Sequence, residues 1–249
     1  MITQKRYYVL ACEILFREIC QAASQSPHVI DISFEKKALH DMGDAYMSKA
    51  LQDRVNQINH SIYDAVLLGY GLCNNGIKHL HAPIPIVAPR AHDCITLLMG
   101  SKEKYAEYFA KNPGAYYQSS GWQERGIAES EAEGTIPQQL GMGKTYEEYA
   151  KEYGEENAEF LMSMLSDMTP HYKKMAFINN GIGDTTSIRE IAKQRAQDQD
   201  WEFEEVEGNN KLIEQLVNGQ WNEKDFLIIP PCYKIAPSND DSIIASIPL

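Results

Sequence analysis

No apolar run in the sequence approaches the roughly 20 residues that a bilayer-spanning helix needs, so nothing in it reads as a membrane span. Basic residues are short: 23 Lys and Arg face 35 Asp and Glu, a net charge of -12. Phosphate backbones are held by clustered cations, so this balance argues against a nucleic-acid partner. Cysteine is sparse and odd in number, five in 249 residues. The opening MITQKRYYVLACEIL places basic residues before an apolar run. That run is short, meets Glu13 and lacks a small-residue cleavage site, so it reads as a first strand rather than a secretion signal. A cytoplasmic chain with reduced thiols follows, and a disulfide framework does not. Also missing are a repeat of fixed period, a complete G-x-G-x-x-G, and a Lys-Ser or Lys-Thr after the glycine-rich loop. A dinucleotide fingerprint and a nucleoside-triphosphate loop are thereby excluded.

What is present is an alternation of short apolar runs and longer amphipathic ones. Tyr7 to Ala11, His28 to Phe34, Tyr63 to Leu68, Lys174 to Ile178, Trp201 to Val206 and Phe226 to Ile229 read as strands. Helical spacing runs from Ile14 to Ala23, Ala38 to Asn59, Cys94 to Gly100, Lys102 to Lys111, Thr186 to Gln197 and Asn210 to Gln220. The pattern predicts an α/β fold, a mostly parallel sheet with helices on both faces and two related α/β halves. Three divisions are expected. Residues 1–125 form an N-terminal α/β half, 126–170 an acidic loop-helix insertion, and 171–249 a C-terminal half packed on the first. The insertion has a Gly, Glu, Gln and Ser-rich loop from Gly126 to Gly143, then an acidic helix from Thr145 to Met168. A solvated face is the ordinary use of such charge.

Ligands of parallel sheets bind beyond the carboxyl ends of the strands. Five segments follow predicted strands: Cys12 with Glu13, the loop GYGLCNNG (69 to 76), Arg90 to Cys94, Asn179 to Gly181, and Cys232. Cys20 lies inside a helical pattern and reads as structural. In IPIVAPRAHDC (84 to 94) a proline-bracketed strand ends by delivering Arg90, His92, Asp93 and Cys94 within five positions. The H-x-C pair of His92 and Cys94 suits one metal ion, with Cys12 and Cys73 completing a zinc set. Two other readings stay open at this point. Buried cysteines beside a hydrogen-bonded histidine would be plain packing. A metal-free nucleophile or redox thiol would have Cys94 activated by a helix start, Arg90 and His92, with Asp93 or Glu13 orienting the base. Gly69, Tyr70, Gly71, Asn74 and Asn179 are the candidate cofactor-binding residues, the glycines allowing close backbone approach. Arg90 is the candidate anion holder. Tyr116, Tyr117 and Trp122 are either pocket wall or core. An iron-sulfur cluster is open if Cys232 joins the other thiols.

ACEIL with its following RE, GYGLCNNG, PRAHDCITLLMGS and NPGAYYQSSGW resemble the domain-of-unknown-function family numbered sixteen-thirty-eight. The resemblance runs over most of the chain and is strongest from residue 63 to 122; the glutamate-rich 126 to 168 region departs from it. The family brings no agreed activity. It implies a setting, alongside proteins of corrinoid-dependent methyl transfer, where some zinc methyltransferases use an H-x-C pair and a distant Cys. The expected role is a zinc protein acting on a small-molecule thiol or methyl donor in one-carbon metabolism, with a corrinoid protein or methyltransferase as partner. A non-enzymatic corrinoid-binding or cofactor-binding accessory protein, docking its partner through the acidic helix, is the third reading.

Overall fold

A computed structural model describes residues 3–125, 150–151, 154–155 and 172–249. The glycine-rich loop and nearly all of the acidic helix expected between 126 and 170 lie outside the described residues. The larger sheet has the order β2-β1-β3-β4-β8, formed by β1 (Arg6–Cys12), β2 (Val29–Glu35), β3 (Ala65–Gly69), β4 (Ile86–Pro89) and β8 (Phe226–Ile229). A second sheet joins β5 (Ala115–Ser119), β6 (Lys174–Asn179) and β7 (Glu202–Glu207), all parallel. β9 (Tyr233–Pro237) and β10 (Ile244–Pro248) form a hairpin. This is a mixed α/β fold with mostly parallel sheets. The sheets cross the sequence divisions at 125 and 171: β5 joins β6, and β8 returns to the first sheet.

Both faces of the larger sheet are covered, which explains the near-continuous apolar runs of its central strands. Val9 and Ala11 of β1 face one core together with Ile14, Leu15 and Ile19 and with Ala176 and Ile178 of β6. Leu10 faces the other, with Met47, Leu51 and Val55 of α2 (Asp44–Gln57). The long amphipathic run from Ala38 is not one helix. A 3-10 segment, Lys37–Met42, comes first, and Gly43 at φ 91° breaks the chain before α2. Only glycine adopts that backbone without strain. The other helices used below are α1 (Phe16–Gln25), α3 (Cys94–Met99), α4 (Lys102–Lys111), α5 (Ser120–Arg125), α6 (Thr186–Asp198) and α7 (Lys211–Val217). No helix of the described residues is long and apolar enough to cross a membrane.

β8 runs antiparallel to β4, with Ile86 opposite Ile229 and Pro89 opposite Phe226. Its carboxyl end therefore lies beside the amino end of β4. Cys232, expected with the other strand-end groups, is carried to the opposite edge and is exposed.

α1 buries one carboxyl. Glu18 is 2 % exposed and its Oε2 has no hydrogen-bond partner. Burial pushes its pKa up from the ordinary 4.5 to about 7, against the pull of its own backbone N–H and of Arg17. The fold thus binds this proton more tightly than the unfolded chain does. Stability should fall as pH rises from 4.5, where the unfolded carboxyl ionises, and level off above 7. The loss amounts to about 3 kcal/mol. Urea unfolding of the native chain and Glu18→Gln across pH 4 to 8 is expected to show the decline flattened in the variant; parallel curves would contradict it.

Candidate functional site

Three neighbouring parallel strands supply the site. β1 ends at Cys12, β3 runs out into the 70–76 loop, and β4 runs out through Arg90 to Cys94 at the start of α3. The last two loops are bonded backbone to backbone: Leu72 N–H donates to Ala91 O at 2.7 Å, and Cys73 N–H to His92 O at 2.8 Å. Gly71 makes that approach possible, since a Cβ there would stand 2.6 Å from the Asp93 nitrogen. Cys73, Asn74 and Asn75 follow with φ of 46°, 54° and 66°. Asparagine tolerates the left-handed region, but a cysteine there is held by its surroundings.

Cys12, Cys73 and Cys94 converge. Cys73 is buried, and Cys12 and Cys94 are partly buried; Cys73 would feel charge on Cys12 and Asp93, and Cys94 would feel charge on Cys73, Cys12 and Asp93. Backbone N–H groups point at the sulfurs: Ile14 at Cys12, Gly71 and Cys94 at Cys73, and Cys94 at its own sulfur. These donors favour thiolates, yet burial outweighs them. The Cys12 thiol is pushed up to about 12, and Cys73 and Cys94 rise as well. Tyr70 completes the group. It is 2 % exposed, its hydroxyl has no partner, and it lies among Cys12, Cys73, Glu35 and Glu13. Nearly every ionisable group acting on this site is acidic; Lys37, acting on Cys12, is the cation that opposes them. Among the described residues, no group of three or more His, Cys, Asp or Glu side chains is arranged to hold a metal ion. The donor chemistry suits a soft cation, and the side-chain placement does not yet form a ligand set.

Other expected site residues have different work. Arg90, the expected anion holder, is engaged with carbonyls of its own chain. Its Nε donates to Glu223 O at 2.9 Å, and its Nη1 to Ser242 O at 2.9 Å and Ile244 O at 2.6 Å, fastening the β9-β10 hairpin to the sheet. His92 is exposed and serves the site through its carbonyl. Asp93 caps α3 instead of orienting an imidazole: Oδ1 accepts from Ile95 N–H at 3.0 Å and Thr96 N–H at 3.2 Å. Glu13 accepts the Lys37 N–H at 3.0 Å, tying the 3-10 segment to the strand end. Gly69 and Gly71 are glycines for the chain's own packing, a Cβ at Gly69 meeting Ala11 Cβ at 2.5 Å. Asn74 is exposed. Asn179 belongs to the second sheet, where it donates to Glu205 Oε1 at 2.7 Å and accepts the Gly181 N–H at 2.9 Å. Cys20 stays in α1, half-buried.

Three groups at the site were not singled out as site residues by sequence. Tyr105 of α4 donates its hydroxyl to Asp93 Oδ2 at 3.3 Å and feels Cys94. Tyr117 of β5, edge-on to Tyr105, has a buried hydroxyl without a partner and feels Asp93. Burial pushes its pKa up to about 12. His40, whose pKa is raised first by its hydrogen bond to Asp41, also feels Asp93, so the 3-10 segment faces the site. Of the three aromatics that read as pocket wall or core, Tyr117 packs against the core. Tyr116 turns away to Tyr172 and Trp201, and Trp122 packs on the core.

A family model described as Protein of unknown function (DUF1638) matches residues 35–217. The match takes in Tyr70, Cys73 and Cys94 and begins after Cys12. No curated protein and no solved structure matches the chain.

The role of Arg90 is open to a direct test. Arg90→Ala strands the Ser242 and Ile244 carbonyls and is expected to lower unfolding free energy by about 3 kcal/mol in urea. A stability unchanged from the native chain would contradict the clamp.

Proposed function

The chain belongs to the DUF1638 family, whose description assigns no activity, and from the site itself we propose that Cys12, Cys73 and Cys94 take up a metal ion, zinc, as thiolates. The observation that carries this reading is that one buried and two partly buried cysteines, acting on one another electrostatically, lie at and just beyond the carboxyl ends of three adjacent parallel strands. Two further features support it. Soft thiolate donors select zinc or an iron-sulfur centre, and backbone N–H groups at sulfur are the usual outer support of such sites. The surrounding field is acidic, so a cation is the guest it favours. Cys12, Cys73 and Cys94 would hold the ion as thiolates, so binding would require their deprotonation and a closer placement than the described residues have.

Three protein ligands leave a fourth position open for chemistry. When bound, zinc would hold a substrate thiolate and keep it charged at neutral pH. The role we propose is therefore the handling of a small-molecule thiol or methyl donor, in the corrinoid-linked setting that the family resemblance implies. The chain's own residues would exclude water and fix the loops, Asp93 by capping α3 and Arg90 by holding the hairpin. A metal-free cysteine nucleophile is disfavoured, because burial raises all three thiols where such a nucleophile needs a lowered pKa. A cluster with four cysteine ligands has lost its fourth candidate, since Cys232 lies at the other edge.

The test is metal analysis after zinc loading and desalting. The native chain is expected to retain about one zinc, releasing about three protons as it binds. Cys12→Ala, Cys73→Ala and Cys94→Ala should each lose most of the metal, while Cys20→Ala and Cys232→Ala keep it. Equal effects from Cys94→Ala and Cys20→Ala would refute the assignment.

A further inference from the structure

The outer edge of the larger sheet is unguarded. β2 ends that sheet, with β1 as its neighbour and, among the described residues, no strand beyond it. Its register with β1 runs unbroken from Val29 to Glu35, and Val29 N–H donates to Lys5 O at 2.9 Å. A parallel ladder bonds alternate residues to one side, so Val29, Asp31, Ser33 and Glu35 turn their main chain to β1. Ile30, Ile32 and Phe34 turn theirs outward, where among the described residues no main-chain partner meets them. Natural edge strands are blunted by brevity, proline, lysine or a bulge. VIDISFE has none of these. Its two carboxylates are each neutralised within the chain, Asp31 by Arg6 at 2.8 Å and Glu35 by Arg54. Arg54 also donates from Nη2 to Ser33 Oγ at 3.0 Å. On the other face Phe16, 38 % exposed, packs its ring 5.1 Å from that of Phe34.

We propose that β2 is the interface of a homodimer, pairing antiparallel with the β2 of a second copy about a two-fold axis at Ile32, so that the two larger sheets become one. A second copy is the occupant because the strand is complementary to itself about that point. Ile32 would face the partner's Ile32 and Ile30 the partner's Phe34, apolar against apolar, on the face where Phe16 stands exposed. On the opposite face Asp31 would meet the partner's Ser33, the residue to which Arg54 is already bonded. Each copy's Asp31 is thereby set beside the other's Arg54, a charge match that symmetry makes twice. The outward N–H and C=O groups of Ile30, Ile32 and Phe34 would all find partners in the new ladder. Such a contact uses the same edge of both copies and closes at two.

Sedimentation equilibrium of the full chain over a micromolar concentration series, read beside amide hydrogen exchange, tests this. The native chain is expected at twice the chain mass, with the Ile30, Ile32 and Phe34 amides slow to exchange although no strand of their own chain protects them. Ser33→Asp sets a carboxylate opposite the partner's Asp31 at both symmetric positions, while within its own chain the new group meets Arg54. It is expected to keep the native circular dichroism, to raise the dimer's dissociation constant about tenfold and to speed exchange at those three amides. Adding Asp31→Asn to Ser33→Asp should restore association. Ile32→Pro removes an N–H that β1 does not use, a change edge strands tolerate, and is expected to give a folded monomer. A monomeric native chain would overturn the proposal. So would a native dimer whose affinity and amide exchange are unaltered in Ser33→Asp, which would place the contact elsewhere. Assemblies growing past two copies would overturn it as well, since pairing at this edge closes. Should Ile32→Pro fail to fold, Ser33→Asp and its rescue decide the matter.

Discussion

Two backbone hydrogen bonds, Leu72 N–H to Ala91 O and Cys73 N–H to His92 O, hold the rest of the site in place. They join the loops leaving β3 and β4 over a distance short enough that Gly71 is required between them. Once the loops are joined, Cys73 is forced into left-handed backbone and the N–H of Cys94 faces its sulfur. β1, paired in parallel with β3, then brings Cys12 to the same rim. The convergence of sulfurs is thus a product of main-chain geometry, and side-chain chemistry follows from it.

The site is a contest between burial and charge. Backbone donors and the start of α3 favour thiolates, and in a solvated setting they would lower the thiol pKa. Removal from water reverses the sign, and the mutual repulsion of three sulfurs with Asp93 adds to it. A cluster in that state is neutral. On the proposed reading a bound cation would invert the balance, because the same low-dielectric surroundings that penalise lone thiolates would strengthen their attraction to the ion. Glu18, buried in α1 with its Oε2 unpartnered, shows the first half of this behaviour, burial outweighing its own backbone N–H and Arg17.

Much of this was legible in the sequence, and the failures have physical reasons. The apolar runs ending at Cys12 and Leu68, and the one before Arg90, marked strands whose parallel pairing places their ends together. Lys102 to Lys111 was readable as a helix to its last residue, with Ser101 capping Lys104 N–H. Strand direction was not readable. Phe226 to Ile229 looks like any buried strand, and only its partner shows that it runs backward and takes Cys232 away. Arg90 looked like a ligand holder because its acceptors, carbonyls near residues 223 and 242 to 244, carry no mark in the sequence. His92 looked like a ligand by spacing alone, but H-x-C gives no orientation, and the loop spends that residue's carbonyl on Cys73. Tyr105 and Tyr117 sit on an amphipathic helix and a strand where aromatic spacing indicates core, so their polar ends left no signal.

X-ray absorption at the zinc edge of the loaded native chain measures the central claim most directly, since it counts the sulfurs around the ion. Three protein sulfurs at about 2.3 Å, with one lighter scatterer at about 2.0 Å in the absence of a thiol ligand, are predicted. A first shell of nitrogen and oxygen alone, or with a single sulfur, would contradict the account.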